Sequence, residues 1–260
     1  RRRDMLIDPA RVHQIDFKGK HFNVPGPHMC EPSPQRTPVL FQAGQSGRGI
    51  RFAARHAEAI FAIHPTIAAC KAGVKGLAAA LKAEGRRRDE VRYYPGITVV
   101  VAPTDEEARL KLDTARRYAS PEGALALFCG WVDVDLASLP SGKGLKDMKT
   151  DAIQGLIDYF ATVDPERDWS LEDIGDFIAL GSVMPKVVGS PQTVADELER
   201  WMDESGCDGF NLVPITQPQG FRDFADLVVP ELQRRGRMPL AYPGTTLRES
   251  YFGAGKRRLA

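Results

Sequence analysis

The residues best suited to chemistry in this sequence lie in one short turn, Ala43-Gly44-Gln45-Ser46-Gly47-Arg48-Gly49, between an apolar run and a helical pattern. A strand that ends in Gly-Gln-Ser-Gly and opens a helix presents free backbone N–H groups at the positive end of a helix dipole. That suits an anion such as phosphate. Gly44 and Gly47 permit close approach or positive φ, and Ser46 adds a hydroxyl donor. Arg48 adds charge, although an arginine in mid-turn is usually solvated. A plain strand-to-helix turn with Ser46 as N-cap accounts for the same residues. Spacing alone leaves both readings open.

Three sharper motifs are excluded. Gly44, Gly47 and Gly49 do not form G-x-G-x-x-G, so the dinucleotide fingerprint fails. No G-K-[ST] follows, which removes the P-loop. Arg48 stands where a nucleophile elbow needs glycine. Other candidates are His64, at the C-terminal end of a second apolar run, and His56; a structural or solvent-facing role is the simpler reading of each. His13, His21 and His28 lack i, i+4 spacing, so no metal site is expected. "RRRDEVR", residues 86–92, reads as a solvated surface loop. Asn211 points either into a site or into a hydrogen bond that shapes its loop, with Asp208 just before it. No catalytic residue is assigned.

These positions need a scaffold, and the sequence supplies alternation. "VLFQA", residues 39–43, reads as a strand buried on both faces. A helix is expected over 47–57, a strand over 57–63, and an Ala- and Lys-rich helix over 66–83. "GITVVVA", residues 96–102, has five β-branched residues in succession from Ile97. Thr104 and Glu107 then form a capping box. Residues 120–150 are mixed and read largely as loop, with a helix near 150–162 and a shorter one near 170–179. Ser190 and Pro191 open another helix that Gly206 ends. A strand over 208–214 and a helix over 224–236 follow, the latter kinked or split by Pro230. Residues 1–37, rich in proline from Pro25 onward, read as an irregular lead-in, 38–236 as βα units, and 237–260 as a surface tail without periodicity. The order β-α-β-α-β-α-(insertion)-β-α implies parallel strands with crossover helices. About four strands are convincing. The 260-residue length suits a whole (β/α)8 barrel, whereas that count suits half of one.

Bulk properties bound the partners. The composition, 43% hydrophobic and 27% charged, is that of a globular protein, and a net charge of +1 gives no electrostatic case for nucleic acid or a membrane surface. No apolar run has membrane-spanning length. The leading arginines precede no signal-peptide core. Cys30, Cys70, Cys129 and Cys207 match no zinc or disulfide spacing and read as free core thiols in a reducing compartment, so the cytoplasm is the expected location. The first residue, Arg1, reads as processing or as part of something longer.

Five blocks in order, "PVLFQAGQSGRGIRFAARHAEAIFA", "YYPGITVVVAPTDEEARLKLD", "VVGSPQTVADELERWMDESGCDGFNLVP", "FADLVVPELQRRG" and "YPGTTLRES", resemble the C-terminal half of the flavin-dependent monooxygenases of the bacterial-luciferase-like superfamily. The nearest branch is that of the nitrilotriacetate, dibenzothiophene-sulfone and long-chain-alkane enzymes. The resemblance implies an α/β fold, the C-terminal half of a (β/α)8 TIM barrel with insertions. It implies reduced FMN supplied by a separate NAD(P)H:flavin reductase, O2 as oxidant and a small organic substrate. It places the FMN phosphate on Ala43, Gly44, Gln45 and Ser46. It leaves room for a homo-oligomer. Nothing matches the family's N-terminal half-barrel, so this chain alone is expected to bind FMN weakly without turnover and to expose sheet edges. The alternative is a truncated, inactive FMN- or phosphate-binding half-barrel, or a subunit that completes a barrel with another chain.

Overall fold

Helix starts follow the chain's own polar punctuation. Ser46, Thr66, Thr104, Ser170 and Ser190 each sit in extended backbone, and the side chain of each accepts a hydrogen bond from the backbone N–H three residues on. The computed structural model describes residues 6–28, 30–132, 159–160, 162–163 and 169–255. It divides into two compact units, Val39–Pro243 and a smaller one of Arg1–Pro38 with Gly244–Ala260.

The smaller unit corrects two expectations. The lead-in is not wholly irregular: β1 (Phe17–Lys18) pairs antiparallel with β2 (Asn23–Val24), after a single 3-10 turn at Pro9–Arg11. Strands of two residues leave no readable alternation. The tail is not merely a surface strap either. Thr246 caps a helix, Leu247–Phe252, and Arg248 within it is 1% exposed. Its guanidinium donates to the carbonyls of Thr37 at 3.0 Å and Pro38 at 2.7 Å. Six residues are too few to show a helical period.

The larger unit carries a parallel sheet of β3 (Phe41–Ala43), β4 (Ala59–Ala62), β5 (Arg92–Val101), β6 (Lys186–Gly189) and β7 (Asn211–Leu212). Among the described residues, β3 pairs only with β4 in this sheet. It is an edge strand, with Phe41 48% exposed, and the expectation of burial on both faces is wrong for it. β5 starts earlier than expected because Pro95 and Gly96 punctuate its sequence without ending it. Its first residues pair with β4, Gly96 and Ile97 with β7, and Thr98 to Val101 with β6. β6 escapes sequence reading because "KVVG" is only four residues long and follows Pro185. The strand expected over 208–214 shrinks to Asn211–Leu212.

The helices α1 (Gly47–His56), α2 (Ile67–Ala83), α3 (Asp105–Arg116), α4 (Pro121–Val132), α5 (Leu171–Ala179) and α6 (Pro191–Ser205) complete the crossovers and the insertion. Gly206 stops α6 in the left-handed region at φ 77°, as expected of a glycine C-cap. The helical segment expected over 224–236 is split as Pro230 requires: Gln219–Asp223 runs into a π turn, Phe224–Val228, and Val229–Arg234 restarts with Pro230 in its first turn. α4 corrects the loop reading of 120–150 over its own length; residues 133–150, and most of the helix expected near 150–162, lie outside the described residues. One apolar core gathers Ile60, Leu77, Leu81, Tyr93, Ile97, Val194 and Trp201. A second gathers Phe128, Phe160, Trp169, Ile174 and Ile178. Among the described residues, no helix is long and apolar enough to cross a membrane.

Candidate anion-binding turn and its support

Ala43 ends β3, and the chain turns through Gly44 and Gln45 to Ser46, the N-cap of α1. Ser46 Oγ accepts from Gly49 N–H at 3.1 Å, and its carbonyl accepts from Ile50 N–H at 2.9 Å. The N–H groups of Gly47 and Arg48 point out of the first turn, where a helix has no internal acceptor for them. The plain N-cap is therefore present, and it leaves donors for an outside acceptor. The turn is also tight. A Cβ on Gly49 would lie 2.8 Å from the Gly44 carbonyl oxygen, so only glycine lets the two segments close.

Charge in this turn runs against the helix dipole. The first turn of α1 holds no acidic residue, as in α2 and α6 and unlike α3 and α5, which place Asp or Glu there. Arg48 lies in that first turn, and a guanidinium nitrogen of Arg51 lies 3.7 Å from the Cβ position of Gly47. Cations at a helix N-terminus cost about 0.3–1 kcal/mol each unless an anion offsets them.

Behind the turn sits a buried polar pair. Gln45 Oε1 accepts from Ile63 N–H at 2.8 Å, which turns its amide nitrogen toward His64 Nε2 at 3.1 Å. Tyr93 Oη lies 2.7 Å from the same ring nitrogen. An amide nitrogen can only donate, so Nε2 is the unprotonated nitrogen of a neutral ring and the Tyr93 hydroxyl donates to it. Burial pushes the imidazole pKa from 6.5 down to about 4, and burial likewise pushes the Tyr93 hydroxyl up. The unfolded chain binds a proton at residue 64 between about pH 6.5 and 4, and the folded chain does not. Stability therefore falls as pH drops through that window, by at most about 3 kcal/mol. Urea unfolding at pH 7 and pH 4.5 is expected to show this loss in the native chain. His64→Gln should flatten it; an unchanged pH slope in that variant would refute the assignment.

With this geometry in place, similarity decides the family. The sequence profile of the luciferase-like monooxygenase family matches residues 6–209. The chain belongs to that family. It is 40% identical over 255 residues to the dimethyl-sulfide monooxygenase of Hyphomicrobium sulfonivorans, covering 98% of this chain and 53% of the relative. The crystal structure of DmoA from that organism superposes with a TM-score of 0.84, over 95% of this chain and 52% of the other. The long-chain alkane monooxygenase of Geobacillus thermodenitrificans is 41% identical, over 98% of this chain and 54% of its own. The structure of a riboflavin lyase with modified FMN and riboflavin is 35% identical, with a TM-score of 0.79, over 97% of this chain and 56% of that one. The chain spans about half the length of the curated relatives it matches. The expected fold class stands: parallel βα units of a luciferase-like TIM barrel.

Among the luciferase-like features, the remaining candidates are structural. His56 lies on the exposed end of α1, its ring 4.8 Å from that of Phe52. Asn211 Nδ2 donates to the Tyr94 carbonyl at 3.3 Å, which is the loop-shaping reading. The arginine run is not simply solvated, which is a correction. Arg86 donates to the carbonyls of Ala54 and Ala57 at the end of α1. Arg88 pairs with Asp208 at 2.7 Å, and Arg92 faces the same carboxylate at 3.5 Å. Asp208 in turn accepts from Tyr93 N–H at 2.8 Å. The charged run "RRRDEVR" concealed two anchoring tasks, at the end of α1 and at the Asp208 carboxylate. Of the thiols, Cys70 and Cys207 are core residues, but Cys30 is exposed.

Sequence reading missed the link between Gln45, His64 and Tyr93. Its one readable trace is Gly73 inside α2, one of two glycines in that Ala-rich helix and the one with no room for a side chain. A Cβ there would come within 2.4 Å of Tyr93 Oη and 2.7 Å of His64 Nε2.

Proposed function

We propose that this chain forms the flavin-phosphate end of an FMN-dependent monooxygenase that oxygenates a small organic substrate with O2, using reduced flavin delivered by a separate NAD(P)H:flavin reductase. The observation that carries this is the N-terminal turn of α1, where free backbone donors and arginine charge meet with no carboxylate of the helix to offset them. The residues fit a phosphate. Gly47 and Arg48 N–H would donate to it, the Ser46 hydroxyl can turn to it, and Arg51 would balance its charge. Gln42 Oε1, buried without a hydrogen-bond partner among the described residues, is an acceptor suited to a hydroxyl of the ribityl chain. When bound, reduced FMN supplies the electrons that activate dioxygen. The chain's own part is to hold the phosphate and keep the turn in shape.

A second reading, a binding piece that works only when joined to another chain, is favoured by the edge strand β3, where Phe41 is 48% exposed. Fluorescence titration with FMN and riboflavin tests the phosphate assignment. FMN should bind at least tenfold more tightly than riboflavin, and Arg51→Glu should remove most of that difference. Equal affinities in the native chain would overturn it. Turnover of the FMN-loaded chain with a reductase supports the enzyme; binding without turnover supports the joined-piece reading.

A further inference from the structure

We infer that His64 and Tyr93 are positioning residues for the anion-binding turn, with Gly73 as the space that admits them. This rests on the phosphate reading above for its function, but its geometry stands independently. Gln45 is the one residue of the turn whose side chain reaches back into the protein: its oxygen takes Ile63 N–H and its nitrogen faces His64 Nε2. It thereby ties the β3–α1 turn to the end of β4. His64 is 7% exposed and Tyr93 is fully buried, so neither can exchange this bond for water without opening the core. The pair is fixed from the far side as well. The backbone of Tyr93 is held in both directions by residue 208: its N–H donates to the carboxylate at 2.8 Å, and its carbonyl accepts from Asp208 N–H at 3.0 Å. A continuous line thus runs from Arg88 through Asp208, Tyr93 and His64 to Gln45 and the backbone donors of the turn.

The line has one chemical requirement, an acceptor at position 64. Two donors, the Tyr93 hydroxyl and the Gln45 amide, converge on one ring nitrogen. A side chain without an acceptor leaves the buried Tyr93 hydroxyl without its acceptor and gives up the bond that holds the more exposed Gln45 amide to residue 64. Gln45 is then held through its oxygen alone, at Ile63 N–H, and the turn loosens, which lowers affinity for an anion that needs preorganised donors.

The test compares Tyr93→Phe, His64→Leu and His64→Gln in the full chain by FMN and riboflavin titration, with backbone amide NMR of residues 44–49 in the absence of flavin and a thermal melt of each. Tyr93→Phe and His64→Leu are expected to weaken FMN about tenfold while riboflavin changes less than twofold, and to shift the Gly44–Gly49 amides. His64→Gln keeps an acceptor and should recover most of the FMN affinity. If FMN and riboflavin weaken equally in Tyr93→Phe, or His64→Gln behaves as His64→Leu, the positioning role is refuted while the phosphate reading survives. If the native chain shows no preference for FMN, the phosphate reading fails. The positioning role is then judged on the amides alone, and unshifted Gly44–Gly49 resonances in Tyr93→Phe overturn it.

Discussion

Replacing Asp208 by alanine is expected to lower the unfolding free energy by about 3 kcal/mol. The carboxylate meets three groups at once: the backbone N–H of Tyr93, the Arg88 guanidinium and, more distantly, that of Arg92. The Tyr93 N–H decides the magnitude. It belongs to a residue with no exposure, so a lost acceptor leaves a buried donor unpaired, at about 1–3 kcal/mol. Arg88 suffers less because it also donates to the carbonyls of Val91 and Gly206. Asp208→Asn separates the contributions. An amide oxygen still accepts from Tyr93 N–H, so this variant should lose only about 1 kcal/mol, the part that depends on charge. Urea unfolding at neutral pH measures both. Equal losses in the two variants would show that the ion pairs, not the backbone cap, carry the stability.

Gly49→Ala is expected to reduce FMN affinity by about 100-fold, on the scale of what a misplacement of about an ångström can cost a reaction rate. Two effects oppose each other. Position 49 is helical, where alanine gains about 1 kcal/mol over glycine in intrinsic propensity. The added methyl, however, would stand 2.8 Å from the Gly44 oxygen and 3.0 Å from its carbonyl carbon, both backbone atoms that cannot rotate away. The helix forms, and the Gly44–Gln45 segment is displaced from it. Gly47→Ala is the control in the same turn: its new Cβ meets only the end of Arg51, at 3.7 Å. That variant should stay within threefold of the native affinity. Both are read by fluorescence titration, with melts within a few degrees of native. A Gly49→Ala chain that binds FMN normally would remove this turn from the proposed flavin site.

The legible parts of this chain were those where a polar cap meets a long element. Thr104 with Glu107, Ser190 with Pro191 and Gly206 mark their helices without help from the rest of the fold. The alternation of strands and helices was visible for the same reason. What stayed hidden depends on distance along the chain. "KVVG" becomes β6 only because the far half of β5 waits for a partner. Residues 39–43 look like a central strand by composition, yet topology puts β3 at the edge of this sheet. At the site, the glycines and Ser46 announced the turn, because local backbone geometry demands those residue types. His64 and Tyr93 did not announce each other, since their bond joins positions 29 residues apart, one just past β4 and the other on β5. Arg86, Arg88 and Arg92 misled for a similar reason: a run of charge normally means solvent, and nothing nearby in sequence shows the carbonyls and carboxylate that claim them.

β5 carries a consequence for the birth of the protein. Its near half finds β4 almost at once, but Thr98 to Val101 must wait for residues 186–189. At ribosomal rates that delay is on the order of 10 s. Throughout it, the uncharged β-branched run Ile97–Val101 has the makeup of an adhesive cross-β segment. Yield on expression should therefore hinge on this strand more than on the turn it helps to hold: a chaperone that shields nascent apolar strands guards the very residues that later form the most buried line of the sheet.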